Sequence, residues 1–164
     1  MTVGAFLRKK QIVLSPKLYF VDAMGSMAQG LFASLLIGTI FSTLGKFTGL
    51  QFFSMIAAYA TKATGAVIGV AIAYALKAPL LVLLSAGVVG MAGNDIATAF
   101  LIDGAEKNLT GGPAGAFIAV VIAAELGKLV SKETKIDILV TPCVTLLSGV
   151  GIAALVGPGV GWVM

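Results

Sequence analysis

From Leu18 to Leu44 the chain runs for 27 residues with a single charged side chain, Asp22. A helix over that run is about 40 Å long at 1.5 Å per residue, more than the roughly 30 Å hydrocarbon core of a bilayer. Inside lipid there is no water to pair backbone groups, so a spanning segment must be a helix or part of a closed barrel. The apolar runs here show no apolar-polar alternation of the kind barrel strands carry, which leaves helices. Composition points the same way. Hydrophobic residues make up 59% of the chain and charged ones 11%, against about 25% charged in a soluble domain, and mean hydropathy is +1.05. The chain reads as an all-α, polytopic integral membrane helical bundle.

About five spans are expected. The first is Leu18–Leu44. The second is ambiguous: Ala63–Leu76 alone is short for a bilayer, whereas extension back to Gln51 places Lys62 in the membrane. The third, Ala78–Gly93, is also short, and Lys77-Ala78-Pro79 breaks the chain between the two. Spans two and three are thus expected to be short or broken helices. A polar loop from Asn94 to Gly112 leads to span four, Pro113–Val130, with Pro113 at a tolerated first-turn position. Span five, Ile136 to Val156, contains Pro142, expected to kink it by removing one backbone donor. Residues 1–17 form a basic arm and 18–164 the membrane domain. Met164 ends the sequence without a polar tail, the pattern expected of a break within a longer protein or of a half that pairs with a second.

With the amino terminus inside, eight basic residues face inward (Arg8, Lys9, Lys10, Lys17, Lys77, Lys128, Lys132 and Lys135) and three outward (Lys46, Lys62 and Lys107). The positive-inside rule therefore predicts a cytoplasmic amino terminus, and the arm is suited to the anionic inner leaflet. The formal charge of +4 is explained by this topology, since the lysines flank apolar runs and form no separate basic domain for nucleic acid. Histidine is absent, which removes a histidine base, a phosphohistidine or a histidine metal ligand from this chain. The lone Cys143 gives neither a disulfide framework nor a zinc pair. No metal and no cofactor is expected.

Glu125 ends the greasy run Ala116–Ala124 and lies three residues before Lys128. Two readings stand: an interfacial ion pair, with the lysine snorkelling to the headgroups, or a substrate or proton role for the carboxylate. In the following "SKETKID", Thr134 and Asp137 have the spacing of a capping box. Small residues recur every four positions: Ser26, Gly30, Ser34, Gly38 and Ser42; Gly65, Gly69 and Ala73; Gly111, Gly115, Ala119, Ala123 and Gly127; Gly149, Ala153, Gly157 and Gly161. Such stripes let helix backbones approach closely in a membrane and predict a compact bundle. Gly111, Gly112 and Pro113 open span four, where free amides suit either chain reversal or a polar ligand.

The stretches "LSPKLYFVDAMGSMAQGLFASLLIGTI", "GVAIAYALKAPLLVLLSAGVVGMAG" and "GGPAGAFIAVVIAAELGKLVSKETKIDILVTPCVTLLSGVGIAALVGPGVG" resemble the amino-terminal half of the phosphotransferase-system EIIC-like membrane proteins. The branch in question includes the perfringolysin O regulator-like proteins. Residues Asn94–Leu109 depart from the pattern as an enlarged loop. The resemblance implies a multi-pass protein of the bacterial inner membrane. It would be a permease subunit carrying a sugar or similar small polar solute inward, with any phosphotransfer supplied by cytoplasmic phosphoryl-carrier subunits. The glutamate and histidine that sugar permeases of the wider class place near the sugar cannot be located here, so no catalytic residue is carried over.

The expected mechanism is alternating access around the short-helix region, with Lys77, Asn94, Asp95 and Glu125 as polar contacts and Gly111, Gly112, Pro113 and Pro142 as structural positions. A homo-oligomer in the lipid bilayer is expected. Two other readings remain: a membrane sensor that keeps the permease fold, and an ion or proton transporter built on Asp22, Lys62 and Glu125.

Overall fold

The computed structural model describes residues 3–10, 12, 15–95, 111–132 and 136–163. Among these there is no strand, and the chain is helical almost throughout. A short helix α1 (Val3–Lys9) comes first. A continuous helix then covers Leu18–Thr48; it comprises α2 (Met24–Leu31) and α3 (Ile37–Thr48), with π-helical turns at Leu18–Ala23 and Phe32–Leu36. Next come α4 (Gln51–Lys62), α5 (Thr64–Ala75), α6 (Leu80–Asp95), α7 (Gly112–Val130) and α8 (Asp137–Val163).

Leu18–Thr48, Gly112–Val130 and Asp137–Val156 are each long and apolar enough to cross a membrane. The ambiguity of span two resolves into a broken helix. Helices α4 and α5 together are long enough, but they meet at 50°, and Lys62 lies exposed at the break. Helix α6 is a shorter apolar helix, as its 16 residues require. Three helices, or four with the bent α4–α5 pair as one span, are thus long enough to cross, and the shorter α6 makes this compatible with about five passes whose second and third members are irregular. Span one continues four residues beyond Leu44, to the left-handed Gly49 (φ 68°), where the chain reverses into α4. Helix α8 runs unbroken through Pro142.

The core is small-chained. Ile68, Ile72 and Ala73 of α5, Val82, Ala86 and Val89 of α6, and Ala116, Ala119, Val120, Ala123 and Ala124 of α7 are all completely buried. Large apolar side chains point outward instead: Phe20, Phe32, Phe47, Tyr74, Leu80 and Leu147 are each more than 60% exposed. In water this would be an inverted protein; in lipid, where tails are as apolar as leucine, it is the expected arrangement.

Close backbone contact zips the bundle. A methyl group added at Gly69 would run into the Ala86 carbonyl, and one at Gly90 into the Gly65 carbonyl. At Gly93 it would lie 2.7 Å from the Cα of Ala116, and at Gly115 2.7 Å from the carbonyl oxygen of Gly93. The predicted stripes thus face neighbours. Gly30 abuts the Ile68 backbone at 3.2 Å, Gly38 meets α4 at Thr61, and Gly127 meets Thr145 of α8. Gly157 and Gly161 fall among positions whose side-chain surroundings are not described.

Gly69→Val is expected to lower the stability of the purified protein by about 2 kcal/mol or more, because backbone rather than a flexible side chain occupies the space. Gly25→Ala, where nothing lies within 4 Å, should change it by less than about 1 kcal/mol. Denaturant unfolding in detergent measures both, and equal losses would remove the α5–α6 contact as the cause.

Candidate functional site

The buried polar side chains Lys128, Ser131 and Thr141 gather at the end where α5 and α7 stop and α6 begins. Helix α5 ends in a Schellman motif: the Ala78 amide donates to the Ala73 carbonyl (3.0 Å) and the Lys77 amide to the Tyr74 carbonyl (2.9 Å). Pro79, without a donor, follows where the helix cannot continue. The motif leaves the Leu76 carbonyl to a partner from elsewhere. That partner is Lys128 of α7, whose Nζ donates to it at 3.0 Å.

Lys128 is 1% exposed, so it does not snorkel to the headgroups, which corrects one part of the interfacial reading. Its Cβ leaves a helix face that packs inward, and the ammonium reaches the end of α5 rather than the bundle surface. Glu125, one turn earlier, accepts from the same ammonium: Nζ lies 2.9 Å from Oε1. Tyr19, in the π-helical turn that opens the first span, donates its hydroxyl to that oxygen at 3.0 Å. The second oxygen, Oε2, is buried and has no hydrogen-bond donor among the described residues. A carboxylate with one oxygen saturated and the other directed at nothing is unusual, since buried polar atoms are nearly always paired.

The neighbouring end of α7 is held in a similar way. The Ser131 carbonyl accepts from Lys10 Nζ of the amino-terminal arm. Asp137 begins α8 by accepting from the Lys132 backbone amide (2.8 Å) and the Thr141 hydroxyl (2.5 Å). Thr134, the other half of the expected capping box, lies outside the described residues. Thr141 and Thr145 are fully buried and continue the Gly149–Ala153 face toward this end.

The four predicted contact residues fall into two groups. Glu125 and Lys77 belong to the end just described, Lys77 in the turn after Leu76. Asn94 and Asp95 close α6 at its opposite terminus, about 24 Å away along a 16-residue helix, where the Asn94 amide donates to the Asp95 carboxylate at 2.6 Å. Gly111, Gly112 and Pro113 also lie at that opposite end, with Gly112 in left-handed backbone (φ 54°) and Pro113 in the first turn of α7. Pro142 lies in the second turn of α8, near Thr141. Asp22 and Lys62 are exposed. Among the described residues no cluster of three or more metal-ligating side chains occurs.

Tyr19 was invisible to local spacing, because 106 residues separate it from Glu125. Thr141 and Thr145 were not: they extend the span-five stripe at the same four-residue interval.

A helical bundle with an inverted surface, a broken apolar pass and a paired charge cluster at the helix ends defines a polytopic membrane protein. Residues 21–164 match the model of the family "Phosphotransferase system, EIIC". The chain belongs to that family, which makes it a membrane protein of the phosphotransferase system type and supports a role in sugar transport. Neither a curated protein nor a solved structure matches it.

Lys128→Met strands the Glu125 carboxylate in the bundle and is expected to cost about 3–5 kcal/mol, whereas Tyr19→Phe, which removes one neutral donor, should cost about 1 kcal/mol. The double change Glu125→Gln with Lys128→Met should cost less than the sum of the single changes. A double-mutant cycle by unfolding in detergent reads the coupling; additive losses would show that the two groups do not act as a pair.

Proposed function

We propose that this chain is a permease-like subunit that carries a sugar or similar small polar solute across the bacterial inner membrane by alternating access. Any phosphotransfer is supplied by cytoplasmic phosphoryl-carrier subunits. Residues 1–17 act as a cytoplasmic arm and 18–164 as the membrane domain, assembled as a homo-oligomer. Family membership over residues 21–164 supports the transport class. The observation that carries the site is the orphaned Oε2 of Glu125.

A sugar hydroxyl is the donor that oxygen lacks. Its partner oxygen is already fixed by Tyr19 and Lys128, so the carboxylate is oriented before solute arrives and little ordering remains to be done on binding. Lys77 stands at the same end as a second polar contact. Asn94 and Asp95, at the far end of α6, suit the opposite mouth of a pathway better than the same binding pocket. The break between α4 and α5 supplies the discontinuous helix that transporters use at membrane depth.

Thermal shifts of the purified protein across a sugar panel should reveal a stabilising sugar. Glu125→Gln should weaken its binding by about tenfold, the worth of one charge-assisted hydrogen bond. If no sugar stabilises the protein while Glu125→Gln abolishes a proton-coupled flux, an ion carrier replaces the sugar permease. Orientation is checked separately. In a Cys143→Ser background, cysteines at positions 8 and 132 should both label from the cytoplasmic side only, and labelling from opposite faces would refute the proposed topology.

A further inference from the structure

Next to the Glu125 cluster, at the same end of the bundle, is a cavity of about 330 Å³ lined by Lys9, Lys10, Lys77, Ala78, Pro79, Lys128, Ser131 and Lys132. Five of these eight residues are lysines, drawn from three separate stretches of chain, and none of the eight is acidic. Lys10 and Lys128 have partners of their own in the Ser131 and Leu76 carbonyls and in Glu125. Lys9, Lys77 and Lys132 add three further cations on exposed side chains around the same opening.

Backbone conformation gives a second, independent sign. Among the described residues, only Lys77 (φ 54°) and Lys132 (φ 64°) are non-glycine residues with positive φ. Both line this cavity. Each follows the end of a helix, and Lys77 occupies the C′ position of a Schellman motif, where glycine is the usual residue because a Cβ is disfavoured there. The chain is not short of glycine; it has 21, one of which makes the left-handed turn at Gly49. Twice at one cavity it accepts a backbone penalty to keep an ammonium. Strain of this kind concentrates where a side chain is needed for binding.

We propose that this cavity binds a phosphate group, held by Lys9, Lys77 and Lys132 above the helix-end carbonyls that Lys10 and Lys128 already neutralise. Those two inner lysines matter because a bare helix C-terminus carries partial negative charge and would repel an anion. With the carbonyls of Leu76 and Ser131 capped, the outer three leave the opening positive on balance: Asp137 acts on Lys10 and Lys132 but is engaged by the Lys132 amide and the Thr141 hydroxyl, and Asp22 lines a neighbouring cavity with Lys77. A phospholipid headgroup and a soluble phosphate share the chemistry the site would recognise. The inference shares Lys77 with the sugar-permease reading but uses neither Oε2 of Glu125 nor a sugar, so a response to phosphate without any sugar response, or the reverse, separates the two.

The test is thermal unfolding of the full chain in phosphatidylcholine nanodiscs at fixed ionic strength, with inorganic phosphate added or phosphatidylglycerol included in the lipid. A rise of about 5 °C at saturation is expected from the occupied site. A response to inorganic phosphate identifies a soluble anion as occupant, and a response to phosphatidylglycerol alone identifies a headgroup. The double variant Lys77→Gly with Lys132→Gly should lose the rise while unfolding at or above the parent temperature in phosphatidylcholine and chloride, because glycine relieves the backbone. Lys9→Gln, on an exposed helix, should lose part of it. No rise with either addition, or a full rise retained in the glycine variant, overturns the proposal. So does a lowered baseline in that variant, which would assign both lysines to helix capping.

Discussion

The Glu125–Lys128 end of this molecule depends on how closely α5, α6 and α7 approach one another. Lipid tails give helices no hydrophobic reason to associate, so contact must come from packing and from hydrogen bonds between helices. Gly65, Gly69, Gly90, Gly93 and Gly115 remove the side chains that would hold the backbones apart. The core between them is alanine, valine and isoleucine, residues with few rotamers to freeze. This spacing lets Lys128 of one helix reach the last carbonyl of another. Were α5 and α7 separated by ordinary leucine layers, the Leu76 carbonyl would need another partner and Glu125 would have to hold its charge without a cation.

Two helix C-termini, the Glu125 carboxylate and the ammonium groups of Lys10 and Lys128 meet at that end. Individually each is costly near hydrocarbon; together they satisfy one another. The lysine ammonium caps a carbonyl and pairs with a carboxylate at once, so three groups are desolvated with one set of contacts. The exception, Oε2 of Glu125, stands out because everything around it is paired. At the other end of α6, Asn94 and Asp95 simply bond to each other at an exposed helix terminus.

How much of this the sequence disclosed follows from the range of each interaction. The all-helical membrane architecture and the short or broken second and third spans were legible because they depend on runs of 14 to 27 residues and on the position of Lys62. The packing faces were legible because small residues repeat at the helical interval. The Glu125–Lys128 pair was legible at three residues' separation, but the direction of Lys128 was not, since inward and snorkelling rotamers have the same spacing. Tyr19 and Lys10 act across more than a hundred residues, and nothing local marks them. The left-handed lysines were hidden for a different reason. Glycine advertises positive φ, whereas lysine in that conformation breaks the rule that would have revealed it.

The distribution of contacts also divides the molecule into unequal halves. Helices α5 to α8 share the glycine contacts and nearly all fully buried residues. The α3–α4 hairpin is joined to them differently. It packs mainly upon itself, through Gly38 against Thr61, Gly45 against Ser54 and Phe41 stacked on Phe53 at 6.0 Å, while Phe47, Phe52, Met55 and Tyr59 stay more than half exposed. Its two connections to the rest are a π-helical turn at Phe32–Leu36 and the 50° break near Ala63, both places where regular helical hydrogen bonding is interrupted. A segment with few buried contacts and irregular joints at both ends is cheap to displace, whereas backbones in contact at glycine are not. The alternating access proposed above needs one part of the bundle to move against another. Tyr19 donates to Glu125 from the helix that leads into the soft half, so displacement of that helix would alter the hydrogen bonding of Glu125, the carboxylate proposed above as a solute contact.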